Sequence, residues 1–303
     1  MLDDLRKIKK LYESGENIID FLKNKYGKNY DISDFSAISY DIQAGSYIEK
    51  SKLNPEYEKV RGTEFSKILN QLGDYRVLLE SGIGEGTSHA SIAPFLSNNN
   101  YKLLGFDISY SRIQYANRFL NQQHNVMKNK LFLGDYLNCP LADNSVDIVY
   151  TVHSIEPSKG KELEIIKELY RVAGKYLVLF EPSYELGNTL SRQYIEKRSY
   201  VKNLHQATKD LNLKVIEYKI LFDSNDLTSN NTAVMVIEKD QDFISSNSDE
   251  IDWVCPITKT HLEDMGDCFY SQESLLLYPL VSSIPCLLAK NAIIASHFFN
   301  FYK

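Results

Sequence analysis

Residues 77–88 constrain this 303-residue chain more than any other stretch. Val77, Leu78 and Leu79 form a short apolar run that reads as a buried parallel strand. The run continues into Glu80 and Ser81, and glycines then stand at positions 82, 84 and 86. A helical pattern follows through Ile92 and Leu96. A strand, a glycine turn and a helix in that order let a ligand approach bare backbone at a helix N-terminus. The dinucleotide fingerprint places its third glycine three residues after the second. Here Thr87 holds that position and Gly86 comes one residue early. Glu80, just ahead of the first glycine, is also a poor neighbour for a pyrophosphate.

The pattern of an apolar run ending in an acid repeats. Residues 101–106 read as a second strand ending at Asp107, and an acid about twenty residues past the glycine turn is a ribose-binding signal. Residues 130–133 read as a third strand, followed by Gly134, Asp135 and Tyr136. Residues 148–151 form a fourth, ending at Thr151, with His153 and Glu156 just beyond. Residues 176–180 form a fifth, ending in Glu181 and Pro182. Helical patterns over 111–121 and 161–172 separate these strands. Residues 213–222 and 232–238 read as the last two. The expected fold class is α/β, a doubly wound Rossmann-like seven-stranded sheet with an antiparallel last hairpin.

The glycine turn with its leading acid resembles motif I of class I S-adenosylmethionine-dependent methyltransferases. That ligand carries an ammonium and a sulfonium and no phosphate, so a carboxylate such as Glu80 helps. The resemblance implies S-adenosyl-L-methionine as cofactor, held at Glu80, Gly82, Gly84, Asp107, Asp135, Tyr136 and Thr151. Asp107 takes the ribose hydroxyls and Asp135 the adenine amino group, with Tyr136 packing on the ring. Residues 141–147 resemble the run that precedes motif IV in this family, with Ala142 in place of Pro. Past the fourth strand, where the family presents the acceptor, His153 is the candidate general base. Glu156 is placed to orient its ring, and Glu181 ends the next strand on the same edge.

The flanking segments read differently. Residues 1–26 have the period of one amphipathic helix. Residues 27–58 have no clean period and concentrate tyrosines with polar groups. They are expected to be a lid over the cofactor, with Tyr40 and Tyr47 as contacts, before a helix over 59–72. The methyltransferase domain is expected over 1–240, with the N-terminal helix and lid in 1–60, and residues 241–250 form a polar linker. Residues 251–303 read as a small β-rich domain. Cys255, Pro256, Lys259, Leu262, Tyr278, Pro279, Ile284 and Pro285 resemble the zinc-ribbon-derived activator of tRNA and protein methyltransferases. Thr258 stands where that family has the second cysteine of its ligand pair, so no metal is expected.

Composition bounds the partners. Net charge is −6 and the pI about 5.6, which disfavours broad nucleic-acid binding. No apolar run reaches the ~20 residues needed to span a bilayer, and the N-terminus lacks a signal-peptide pattern. Four scattered cysteines fit reduced thiols in the cytoplasm. The expected acceptor is a small molecule or a sugar in glycan biosynthesis, and a homodimer is compatible with the sequence. RNA or protein methylation is the alternative. A nicotinamide-dependent oxidoreductase and a non-enzymatic cofactor-binding protein are alternatives of other classes.

Overall fold

The computed structural model describes residues 2–26, 32–123, 129–222, 231–239 and 250–301. Seven strands form the central sheet: β1 (Val77–Ser81), β2 (Lys102–Asp107), β3 (Asn129–Leu133), β4 (Val146–Val152), β5 (Ala173–Pro182), β6 (Lys214–Phe222) and β7 (Thr232–Glu238). Their spatial order is β3-β2-β1-β4-β5-β7-β6. The first five run parallel, and β7 lies antiparallel between β5 and β6. Alternation along β1 sends Leu78 to one buried cluster and Leu79 to the other. Both faces of the sheet are therefore covered, and the strands read as continuous apolar runs.

Among the described residues, five α-helices precede the sheet: α1 (Leu5–Glu13), α2 (Ile18–Tyr26), α3 (Ile32–Ile42), α4 (Ser46–Leu53) and α5 (Pro55–Gln71). The single helix expected over 1–26 is thus two. Gly15, at φ 83°, ends the first. Glu16 N–H donates to the Leu11 carbonyl at 2.9 Å and Gly15 N–H to that of Tyr12 at 2.9 Å, a Schellman stop. The segment expected to be irregular is mostly helical where it is described, with a turn at 43–45 and a break at Asn54, and Pro55 at the first turn starts α5 earlier than expected. Between the strands lie α6 (Thr87–Ile92), α7 (Tyr110–Leu120), α8 (Glu162–Val172), α9 (Thr189–Arg198) and α10 (Leu204–Asp210).

Residues 250–301 carry a second, antiparallel sheet: β8 (Glu263–Asp264), β9 (Cys268–Ser271), β10 (Leu276–Val281), β11 (Ile284–Pro285) and β12 (Ile293–Ile294), closed by α11 (Phe298–Phe301). This unit covers the β3 edge of the large sheet. Leu287 N–H donates to the Leu133 carbonyl at 2.9 Å, and Leu133 pairs with Cys286 in parallel register. Trp253 meets Phe132 edge-on with centroids 4.9 Å apart. Trp253, Leu262, Phe269, Tyr278 and Leu287 lie in the same buried cluster as Leu79 and Phe132. Of the expected linker, all but Glu250 lies outside the described residues. Among the described residues, no helix is long and apolar enough to cross a membrane, and no cluster of three or more His, Cys, Asp or Glu could hold a metal.

Candidate active site

Strand order reverses between β1 and β4, and an open α/β sheet offers its ligand crevice outside the carboxyl ends of strands at such a point. A cavity of about 730 Å³ opens there. Gly82 begins its floor at φ 73°, and a Cβ on it would sit 2.4 Å from that of Ser154. Only glycine lets β1 and the loop after β4 close to this distance. Ser154 Oγ seals the contact by donating to the Ser81 carbonyl at 2.8 Å. Gly84, at φ 57°, turns its N–H onto Asp107 Oδ2 at 3.0 Å. Asp107 Oδ1 accepts from Ser109 N–H at 2.8 Å. Burial raises the pKa of Asp107, opposed by the charge of Arg112 and by these N–H groups.

Nine residues expected at the site line the cavity: Tyr40, Tyr47, Gly82, Gly84, Asp107, Asp135, Tyr136, His153 and Glu156. Glu80, Thr151 and Glu181 do not; they lie buried beneath it. Glu80 accepts from Tyr150 O–H at 2.9 Å, and burial raises its pKa to about 8. Tyr150 O–H also lies 2.7 Å from His89 Nδ1, and His89 Nε2 lies 2.9 Å from Tyr101 O–H. Burial lowers the pKa of His89 to about 3, so the ring is neutral. Because Tyr150 donates to Glu80, His89 must hold its proton on Nδ1 and accept from Tyr101. Glu181 Oε1 accepts from Ser154 N–H at 3.0 Å, so this carboxylate shapes the loop that carries His153. Burial raises its pKa to about 7.

His153 adopts φ 50°, a left-handed conformation that L side chains seldom take. Its Nδ1 is 2.5 Å from Glu156 Oε1 and its Nε2 is 2.7 Å from Thr232 Oγ1. Burial works to discharge the ring, but the charge and hydrogen bond of Glu156 outweigh it, and the pKa stands above the ordinary value. Glu156 thus holds one ring nitrogen. Thr232, which holds the other ring nitrogen, comes from β7, far along the chain.

The helices before the sheet roof the cavity. Tyr40 of α3, Tyr47 of α4 and Arg61 of α5 line it, as do Arg112 of α7, Tyr194 of α9 and Tyr200. Two carboxylates fasten this roof reciprocally. Glu85, in the glycine turn, accepts from the N–H groups of Gly45 at 3.0 Å and Ile48 at 2.8 Å, capping α4. Asp41, at the end of α3, accepts from Ser111 N–H at 2.9 Å and from the hydroxyls of Ser109 and Ser111, at the start of α7. Neither carboxylate stood out in the sequence, because an N-cap supplied from a distant segment leaves no local pattern.

Residues 79–177 match the family model described as a methyltransferase domain. The match runs from β1 into β5 and contains the glycine turn, Asp107, Asp135 and His153. The chain also resembles geranyl diphosphate C-methyltransferase from Streptomyces coelicolor A3(2), at 11% identity and a TM-score of 0.51, over 70% of this chain and 99% of that one. A chain from a complex between the Haloferax volcanii Trm112 methyltransferase activator and a methyltransferase matches at 15% identity and a TM-score of 0.50, over 64% and 94%. An S-adenosylmethionine-dependent methyltransferase from Aquifex aeolicus matches at 18% identity and a TM-score of 0.44, over 63% and 97%. The likenesses to the Streptomyces and Haloferax structures show a shared fold. The domain match supports S-adenosylmethionine as the cofactor.

Proposed function

We propose that this protein transfers the methyl group of S-adenosylmethionine to a small-molecule acceptor, with a sugar of glycan biosynthesis as one such class. The observation that carries this reading is the meeting of Gly82, Gly84, Asp107, Asp135 and Tyr136 around one cavity at the switch point. The cavity fits the cofactor's chemistry. Asp107 faces it with a carboxylate fixed by two N–H groups and suited to a ribose diol. Ile83, Phe106, Ile108, Leu137 and Val152 give it apolar wall, and the glycine turn leaves backbone open. Arg61, whose Nη2 is 3.3 Å from Ser88 Oγ beside the glycine turn, suits the cofactor's carboxylate.

Bound there, the cofactor supplies an electrophilic methyl group. The chain's residues position and deprotonate. Ser154, Tyr194 and Tyr200 shape the acceptor side and the α3–α4 roof keeps water out, so that positioning supplies much of the rate. Glu156 holds Nδ1 of His153, and the acceptor displaces Thr232 Oγ1 from Nε2, which takes the acceptor's proton once its own has left. Glu181 acts beneath, on the loop.

Calorimetry tests this directly. The chain is expected to bind S-adenosylhomocysteine, and Asp107→Ala should weaken that binding by about 1.5–3 kcal/mol. Unchanged affinity in the variant, or tight binding of NADH by the wild type, refutes the reading. RNA or protein methylation is a second reading, favoured by the activator-like unit on the β3 edge. A radiolabelled methyl-transfer screen of sugar nucleotides against bulk RNA and protein separates the two.

A further inference from the structure

Four cations, Lys50, Arg61, Arg112 and Lys161, line the cavity together with the acids Glu85, Asp107, Asp135 and Glu156. Arg61 pairs with Glu58 at 2.9 Å, Lys161 with Glu164 at 3.5 Å, and Glu156 with His153 at 2.5 Å. Arg112 and Lys50 make no ion pair among the described residues. Arg112 is only 7% exposed. Its Nε donates to the Tyr40 carbonyl at 3.2 Å, while Nη2 is buried without a hydrogen-bond partner. The guanidinium carbon stands 4.4 Å from the Tyr40 ring centroid and 4.7 Å from that of Tyr47. Its Nη1 faces the glycine turn, 3.7 Å from where a side chain on Gly84 would begin. Lys50 Nζ lies 5.3 Å from the Tyr47 centroid, nearer the mouth.

A buried guanidinium with an open donor costs free energy that a bound anion would recover. Two ring faces hold its plane, so its fork is oriented before any ligand arrives. A fork of that kind matches a carboxylate or a phosphate. The cofactor's own carboxylate belongs at the other end of the glycine turn, beside Arg61, because Asp107 sets the ribose end next to Arg112. Asp107 feels the charge of Arg112, but no ion pair joins the two among the described residues.

We propose that Arg112 and Lys50 form an anion subsite and that the methyl acceptor is a small molecule bearing a carboxylate or phosphate. This rests on the reading of the cavity as an S-adenosylmethionine site. Tyr40 and Tyr47 orient the subsite, and the lid thereby contributes to acceptor recognition as well as closure.

Calorimetry with S-adenosylhomocysteine comes first, and absence of binding overturns both readings. The protein saturated with S-adenosylhomocysteine is then titrated with inorganic pyrophosphate and with succinate, with glycerol as the uncharged control. At least one anion is expected to bind, and Arg112→Gln should weaken it about tenfold or more while S-adenosylhomocysteine affinity stays within about twofold. Arg112→Lys keeps the charge without the fork and should fall between; it carries the test if melting curves show that the Gln variant does not fold. A response to pyrophosphate alone assigns a phosphate, and to succinate alone a carboxylate. Binding of S-adenosylhomocysteine with no response to either anion overturns the subsite and leaves the cofactor reading intact. The subsite also falls if Arg112→Gln weakens S-adenosylhomocysteine but not 5′-methylthioadenosine, which lacks the cofactor's carboxylate. Arg112 would then serve the cofactor.

Discussion

Glu80 and His153 show how burial sets the working charge of single residues. Glu80 is ringed by Tyr150 and the floor of the glycine turn, and its pKa of about 8 lies above the ordinary 4.5. A carboxyl with a raised folded-state pKa loses stability as pH rises from its unfolded value through its folded one. Glu80→Gln keeps an acceptor for Tyr150 and removes that loss. The variant should melt close to wild type at pH 5 and be stabilised relative to it at pH 8 by on the order of 1 kcal/mol or more, read by thermal denaturation. His153 has the opposite charge type. Its raised pKa keeps the ring protonated at pH values where a free imidazole is neutral, and an imidazolium is no base. Turnover is therefore expected to rise with pH above the ordinary imidazole value of ~6.5. His153→Ala should lower turnover roughly 10²-fold and abolish that rise. A variant with full turnover and the wild-type pH profile would leave His153 a structural residue.

Among elements, the α3–α4 roof is held to the sheet by charge as well as by packing. Glu85 caps the start of α4 from the glycine turn, and Asp41 caps the start of α7 from the roof. Each carboxylate satisfies N–H groups that a helix start leaves open. Removing one acceptor strands two donors. Glu85→Ala should raise amide exchange at Gly45 and Ile48 by roughly tenfold or more, and speed cofactor release, at a stability cost of about 0.5–2 kcal/mol. Exchange at wild-type rates would show that apolar packing alone holds the roof. Tyr40 and Tyr47 ride on these two helices, so the latch and the tyrosine sandwich around Arg112 should loosen together.

Across the whole molecule, the C-terminal unit and the methyltransferase fold share one buried cluster. Trp253, 6% exposed, packs against both Phe132 of β3 and Phe269 of β9. Lys259 reaches Glu168 of α8 at 2.6 Å, and Lys290 reaches Asp34 of α3 at 2.7 Å, so the unit touches both flanks. Trp253→Ala should cost about 3–5 kcal/mol and lower the melting temperature of the entire chain in one transition. Two separate transitions, with only the later residues affected, would show two independent folding units. Within the unit, Cys255 Sγ sits 3.3 Å from Tyr278 O–H and 3.5 Å from Ser274 Oγ. Burial opposes ionisation of this thiol, but hydrogen bonds from Ser274, Thr258 and Tyr278 bring its pKa down to about 6. Hydroxyls surround the sulfur where a ribbon would gather further metal ligands.

Local pattern determined the strands, the glycine turn and the acids at the strand ends. A buried parallel strand is an apolar run, and a ligand-binding turn needs residues without a Cβ, so both are written in adjacent positions. That is why Gly82, Gly84, Asp107 and Asp135, which line the cavity, stand out as candidates in the sequence. Gly15 also marked a helix end that the apolar period of residues 1–26 ran straight across. What only the tertiary structure decided involves partners brought from far along the chain. Glu80 became a buried group because Tyr150 of β4 lies beside it. Thr232 of β7 took the second nitrogen of His153, and Glu85 capped a helix forty residues earlier. Arg112 looked like an ordinary charge on α7 until Tyr40 and Tyr47 closed over it. A side chain's charge, exposure and hydrogen-bond partners depend on which segments the fold packs against it, and no local period records that.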